Sequence, residues 1–213
     1  MASLTCYVPD FGDEKVTDRM NTFYPPTTPY GPYSDRGAVK NKDGSDYQVT
    51  VGFIRFDTGG LPNDAVITSA VLRLRVLAKA NIDSRNFNVE WYSNANWPID
   101  DGDYVLLVGT DAAVIALSSV PAADDWLELN LSTPTSVSLT GNTGFRLGIS
   151  GGQPTAQNVF AFYPKNTPST SDPELVVTYD SANYANKVLG CLPATIAKIM
   201  GIPTANVGKF CGV

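Results

Sequence analysis

The sequence predicts an all-β protein, an antiparallel sandwich or barrel, that ends in a short repetitive segment. Many short stretches alternate apolar and polar side chains, which is the pattern of strands with one buried face. The 213 residues include 18 Gly and 15 Pro, which predicts frequent turns and little helix. Strand-like segments do not alternate with helical ones, and the sequence has no glycine-rich phosphate loop, so a nucleotide-binding α/β fold is not expected.

The first 48 residues are rich in turn formers. Phe23–Tyr33 contains four prolines, which remove backbone donors and fix φ, so we expect an extended, polyproline II-like loop rather than a helix. Asn41–Asp46 contains the pair Asp43-Gly44, which predicts a tight turn.

The strands follow this region. Val49–Phe56 is β-branched and aromatic, and Ile67–Val76 places Leu72 and Leu74 in alternation with Arg73 and Arg75. This period of two predicts a half-buried strand rather than an amphipathic helix. Further strands are predicted at Asn86–Tyr92, Tyr104–Val108, Trp126–Leu131, Gly144–Ile149, Val159–Tyr163 and Glu174–Tyr179.

The segment Asp111–Ser119 is ambiguous. Its alanines and leucine favour helix, whereas Val114 and Ile115 favour strand. We expect a short helix or turn here.

Composition narrows the function. The chain has no histidine, which excludes Ser-His-Asp catalysis, Cys-His catalysis and histidine-ligated metal. No pair of carboxylates stands out for glycoside hydrolysis, so we expect no enzyme. The net charge of −6 gives no electrostatic footprint for nucleic acid.

Two acidic turns could offer oxygen ligands to Ca²⁺. One contains Asn41, Asp43 and Asp46, and the other contains the aspartates of the segment 100–103. Neither spacing matches an EF-hand loop, so we favour solvated turns and expect no cofactor.

The ends and the cysteines predict a cytoplasmic origin. The first residues have no basic region and no apolar region, so we expect no signal peptide, and no run is long enough to span a membrane. Cys6, Cys191 and Cys211 are favoured as free buried thiols, with a Cys191–Cys211 bridge as the alternative.

Aromatic residues near turns are candidates for stacking on sugars. They are Tyr24, Tyr30, Tyr33 and Trp97, the last of which precedes an acidic turn. The competing interpretation, which we favour, is loop packing or subunit contact.

Residues 1–180 resemble the DNRLRE-type jelly-roll domain, found in bacterial cell-surface and polysaccharide-associated proteins and in some phage proteins. The resemblance rests on Phe53–Asp57, Gly60–Pro62, Ile67–Leu74, Gly144–Ile149, Phe160–Phe162 and Pro173–Tyr179. It implies a jelly-roll sandwich. The hexapeptide that names the family is absent, and no catalytic group is carried over.

Residues 181–213, here called the C-terminal repeat, consist of three 11-residue units. Lys187, Lys198 and Lys209 mark the units, and each lysine lies three residues before a glycine that follows an apolar set. The pattern predicts a helical turn ended by glycine. The Lys-x-x-Gly units resemble those that end many phage and environmental structural proteins. The apolar residues expected to dock are Val188, Leu189, Ile196, Ile199, Met200, Ile202, Val207 and Phe210. They could pack equally well on their own sandwich or on another chain.

These features predict a non-enzymatic structural protein of a virion surface. Capsid decoration protein, head fibre and tail accessory protein all fit, because a phage protein reaches the outside by lysis without a signal. We expect homo-oligomers or contacts with other virion proteins, and neither nucleic acid nor membrane as a partner. The alternative is a carbohydrate-binding module, and a polysaccharide-degrading enzyme is the third hypothesis.

Overall fold

The structure is a computed structural model that describes residues 1–9, 13–20, 36–92, 99, 110–165 and 170–181, with the pairs 198–199 and 202–203. In this part of the chain the fold is all-β, as the sequence predicts, and every strand pairing is antiparallel. The helical elements described are two 3₁₀ turns, Leu117–Ser119 and Pro134–Ser136. The strands are β1 (Ala2–Tyr7), β2 (Asp13–Met20), β3 (Arg36–Asp43), β4 (Asp46–Asp57), β5 (Ala65–Asn81), β6 (Asn86–Tyr92), β7 (Asp111–Ala116), β8 (Trp126–Asn130), β9 (Asn142–Ile149), β10 (Asn158–Phe162), β11 (Glu174–Ser181), β12 (Lys198–Ile199) and β13 (Ile202–Pro203).

The 17-residue strand β5 joins two groups of strands. Its first half pairs with β11 and β8, and β11 also pairs with β1. Its second half pairs with β10, from which the order continues through β3, β4, β9, β6 and β7, with β2 also on β4. Strands β1 to β11 therefore form one continuous hydrogen-bonded sheet, in which β5 passes from the first group to the second.

A single apolar cluster draws side chains from both groups. Leu72 and Leu175 come from the first group, and Phe56, Phe145 and Phe160 come from the second. All five side chains are fully buried, and each contributes about 1.5–3 kcal/mol of apolar burial. The two groups therefore cover a common core, which makes the fold sandwich-like.

Two glycines allow strand backbones to approach each other closely. Strand β2 occupies one edge of β4, so β3 and β9 share the other edge, β3 up to Thr50 and β9 from Gly52 onward. A Cβ atom on Gly52 would lie 2.7 Å from the carbonyl oxygen of Gly37, and one on Gly37 would collide with the carbonyl oxygen of Phe160. Only glycine fits where β3 leaves the edge of β4.

The sequence predicted several elements correctly. Strand β6 matches its predicted bounds, and on β5 the leucines face the core while Arg73 and Arg75 face away. The predicted tight turn joins β3 to β4 through Gly44 and Ser45, with Gly44 at a φ of 61°. The predicted strand Tyr104–Val108 and the proline-rich segment Phe23–Tyr33 lie outside the described residues.

Other predictions were wrong. Asp111–Ala116 is strand β7, and only Leu117–Ser119 forms a helical turn. The ladder with β6 and the β-branched Val114 and Ile115 outweigh the alanines. In the middle unit of the C-terminal repeat, Lys198–Ile199 pairs with Ile202–Pro203 as two short strands, where the sequence predicted a helical turn.

Candidate functional site

A cleft opens where β6 ends and β9 begins. Trp91 pairs with Phe145 and Tyr92 with Gly144, so the last residues of β6 stand beside the first residues of β9. The connection between β8 and β9 forms the facing wall. The cleft has a volume of about 390 Å³, which lies within the range of small-molecule sites. Its lining includes Trp91, Tyr92, Ser136, Ser138, Thr140 and Asn142.

The indole of Trp91 is held on two sides. Its ring packs against Phe145 with centroids 5.0 Å apart, and its Nε1 donates to Thr133 Oγ1 at 3.1 Å. Thr133 has a φ of 47°, a left-handed conformation that few residues adopt without a local reason. The ring is thus oriented before any ligand arrives, which lowers the entropic cost of binding.

Tyr92 is held from the other side of the sheet. Its ring meets Phe53 edge to face, with centroids 4.9 Å apart. Phe53 belongs to a second apolar cluster with Val49 and Val51, and Ile99 also packs on this cluster. The two aromatic residues that line the cleft are therefore supported on opposite faces of the sheet.

Hydroxyl groups form the opposite wall. Thr143 Oγ1 accepts the Ser138 amide hydrogen at 2.9 Å and lies 3.1 Å from Thr58 Oγ1, which donates to the Gly141 carbonyl oxygen at 3.0 Å. These bonds fix the connection that carries the wall. The exposed side chains of Ser136 and Thr140 lie on this wall beside the open space.

The cleft is electrically neutral. Among its described lining residues none is Asp, Glu, Lys, Arg or Cys. It therefore presents aromatic rings and neutral hydrogen-bonding groups, which suit a neutral polyhydroxylated ligand such as a sugar.

A buried ion pair lies next to the cleft. Glu90 precedes Trp91 on β6, and Arg146 follows Phe145 on β9, directly opposite Glu90. Arg146 Nε donates to Glu90 Oε2 at 3.0 Å, and its Nη2 donates to the same oxygen. The side chains are only 5% and 3% exposed, so the pair lies in a largely dehydrated environment where loss of either charge is costly. No local sequence pattern indicates this pair, because strand register brings together residues 56 positions apart.

A second polar cluster fixes the connection between β9 and β10. Lys40 Nζ donates to the Gly151 carbonyl oxygen at 2.6 Å, and Arg85 Nη1 donates to that of Ser150 at 2.8 Å. Burial, reinforced by the charge of Arg85, lowers the pKa of Lys40 to about 8. Hydrogen bonds from Thr155 lower the pKa of Asp83. The donors and acceptors of this cluster bond to one another, which is the arrangement of a structural network.

The residues predicted for sugar stacking, Tyr24, Tyr30, Tyr33 and Trp97, lie outside the described residues. Most of the predicted docking residues lie outside them as well, namely Val188, Leu189, Ile196, Met200, Val207 and Phe210. Ile199 and Ile202 are described in their backbone only, as a directly opposed pair of β12 and β13.

Of the two acidic turns considered for Ca²⁺, the one between β3 and β4 lies within the described residues. Asn41 Oδ1 accepts the Asn158 amide hydrogen at 2.8 Å, and Asp43 and Asp46 flank the turn between β3 and β4. The segment 100–103 lies outside the described residues. Within the described part of the chain, no group of three or more acidic or cysteine side chains could hold a metal ion. Cys6 is a buried free thiol, as expected.

Comparisons with known proteins give no family. No protein-family model matches the chain, and no curated protein matches it. Among the described residues, no helix has the length and apolar character needed to cross a membrane.

Proposed function

We propose that the chain is a non-enzymatic structural protein of a virion surface, with a jelly-roll body and a C-terminal repeat that docks on a neighbouring chain. Capsid decoration protein, head fibre and tail accessory protein are the roles that fit. The observation that carries the proposal is the repeat itself, three apolar units in a row, each too short to be stable alone.

The position of the described core supports separate roles for the body and for the repeat. Among the described residues, its two apolar clusters are built from side chains between Cys6 and Val177. We expect a core of this extent to let residues 1–181 fold on their own. The apolar side chains of the repeat need a surface that covers them.

The test compares the full chain with residues 1–181 by light scattering over a range of concentrations. We expect the full chain to form oligomers and the shortened chain to be a monomer with an unchanged melting temperature. Electron microscopy of the full chain would then show the geometry of the assembly. A full chain that stays monomeric at every concentration, or oligomers that persist without the repeat, would count against the proposal.

A second candidate function, carbohydrate binding, is favoured by the cleft of Trp91 and Tyr92. The oriented indole of Trp91 beside neutral hydroxyl groups suits stacking on one face of a sugar ring, with hydrogen bonds to the hydroxyl groups at its rim. The two functions are compatible, because a surface protein of a virion can also bind host glycans.

A glycan array followed by titration calorimetry tests the cleft. Thr140→Trp would fill the open space from an exposed position and is expected to abolish binding. Thr68→Trp, at an exposed position on β5, is the matched control and should bind like the wild type. A flat array, or equal binding by both variants, would refute a sugar site in this cleft.

A further inference from the structure

A groove separates the edge strands of the two strand groups. Within the described residues β7 pairs only with β6, and β8 pairs only with β5, so each strand has one edge without a strand partner. The two edges face each other across a groove of about 460 Å³, lined by Asp111–Ile115 of β7, Glu128–Asn130 of β8, and Ser132. Unpaired strand edges are sites where an extended segment of another chain can add.

The groove is already formed in the single chain. The Ser132 amide donates to the Ala112 carbonyl oxygen at 2.7 Å, and Ser132 Oγ donates to that of Asp111 at 2.7 Å. These bonds tie the end of β8 to the start of β7 and hold the strands apart at a fixed distance. An occupant would therefore enter a preformed site and would spend little free energy on ordering it.

The groove combines apolar and acidic groups. Val114 is 48% exposed, whereas Leu129 turns into the core beneath the groove. Glu128 shares Arg73 with Glu174, so two carboxylates surround one guanidinium and the cluster keeps a net negative charge. Asp111 adds a further exposed carboxylate at the end tied by Ser132. A fitting occupant would thus be apolar and basic.

The C-terminal repeat has this chemistry. It carries three of the 15 basic side chains of the protein and none of the 21 acidic ones, which all lie within residues 1–180. Each unit places one lysine among apolar residues. In its middle unit the backbone is extended at Lys198–Ile199 and Ile202–Pro203, a conformation that can pair with a strand edge.

We propose that the groove between β7 and β8 is the acceptor for the C-terminal repeat of a second copy of the chain. The inference rests on the proposed function and names its docking surface. Strands β11 and β8 both pair with Val71–Arg73, so they flank β5 on opposite edges, and β11, which precedes the repeat, lies on the edge away from the groove. Each chain has three repeat units but one such groove in its described part. This ratio fits an assembly in which the units of one chain dock on several other copies.

The test uses full-length variants in sedimentation velocity over a concentration series. Val114→Lys places a charge in the groove, and the matched control Val66→Lys makes the same change at a valine of β5 that is 59% exposed. We expect Val114→Lys to weaken self-association about tenfold or more. Val66→Lys should stay within about twofold of the wild type, because its site lies outside the groove. Both variants should melt like the wild type, since both valines are exposed.

Charge reversal supplies a second test that does not depend on Val114. Changing all three lysines of the repeat to glutamate should weaken association, and adding Asp111→Lys should restore part of it. If Val114→Lys associates like the wild type while removal of residues 182–213 abolishes association, the groove is not the acceptor and the proposed function stands. If removal of the repeat changes nothing, the proposed function fails and the groove proposal fails with it. A full chain that is monomeric throughout would also overturn the exchange between copies.

Discussion

Replacing Gly52 by alanine would add a methyl group where β3 leaves the edge of β4. The new Cβ atom would lie 2.7 Å from the Gly37 carbonyl oxygen, whereas ordinary contacts begin at 3.4 Å. The neighbouring backbone must therefore move by about 0.7 Å, and it cannot yield as the end of a flexible side chain can. Overpacking of this kind costs about 1–3 kcal/mol, and alanine recovers about 0.4–1 kcal/mol by restricting the unfolded chain.

We therefore expect Gly52→Ala to lower the free energy of unfolding by about 1–2 kcal/mol, which is about 2–8 °C in melting temperature. Urea denaturation and differential scanning calorimetry measure both quantities. The control is Gly152→Ala, because a Cβ atom on Gly152 meets nothing within 4 Å. It should leave stability unchanged or raise it slightly. Equal stability of the two variants would refute the close approach of β3 and β4.

Three further predictions concern buried ionisable groups. Arg146→Met should cost about 3–5 kcal/mol of unfolding free energy, because the charge of Glu90 stays buried. The double variant with Glu90→Leu should recover most of this loss in urea denaturation, and a double variant as unstable as the single one would contradict the reasoning. The stability of the wild type relative to Lys40→Met should rise from about pH 8 toward pH 10, because the unfolded lysine still binds a proton that the folded one has released. Melting temperatures across this range check it, and a constant difference between the two proteins would show that Lys40 is not the cause. Burial raises the pKa of Cys6 to about 11, so mass spectrometry should find Cys6 unlabelled by iodoacetamide at pH 8 until urea unfolds the chain. Equal labelling rates in the folded and unfolded chain would contradict the burial of this thiol.

The strands that were predicted correctly have a strong local pattern. On β5 the alternation of leucine and arginine is visible in the sequence, because one face meets the core and the other meets water or carboxylates. β8 shows the same alternation around Leu127 and Leu129. In these strands the side chains alone indicate the buried face.

The strands that were missed depend on partners distant in sequence. β2 carries five charged residues in eight and has no apolar face in its sequence, yet it pairs with β4 along its whole length. The composition of β7 favours helix as much as strand, and its ladder with β6 decides for strand. Main-chain pairing with a distant strand decides these elements, and local propensity carries no information about it.

The candidate site was hidden for the same reason. The sequence predicts a strand that contains Trp91. No residue near it in sequence indicates that its indole nitrogen donates a hydrogen bond to Thr133. The sequence suggested instead the aromatic residues near prolines, where exposure is easy to infer. A concave site formed by one strand end and a remote connection becomes visible only once β6 and β9 are in register.

The ladder between β1 and β11 has a consequence for synthesis of the chain. Ala2 pairs with Tyr179, and Cys6 with Leu175, so β1 is synthesised well before β11, the strand with which it pairs. At about 5–20 residues per second, this wait lasts about 10–35 seconds. During that time β1 lacks its ladder with β11, and the edge of β5 that β11 occupies is unpaired from Ala65 to Arg73. The body therefore closes only after β11 has been made, and its nascent form exposes strand edges that chaperones would have to protect.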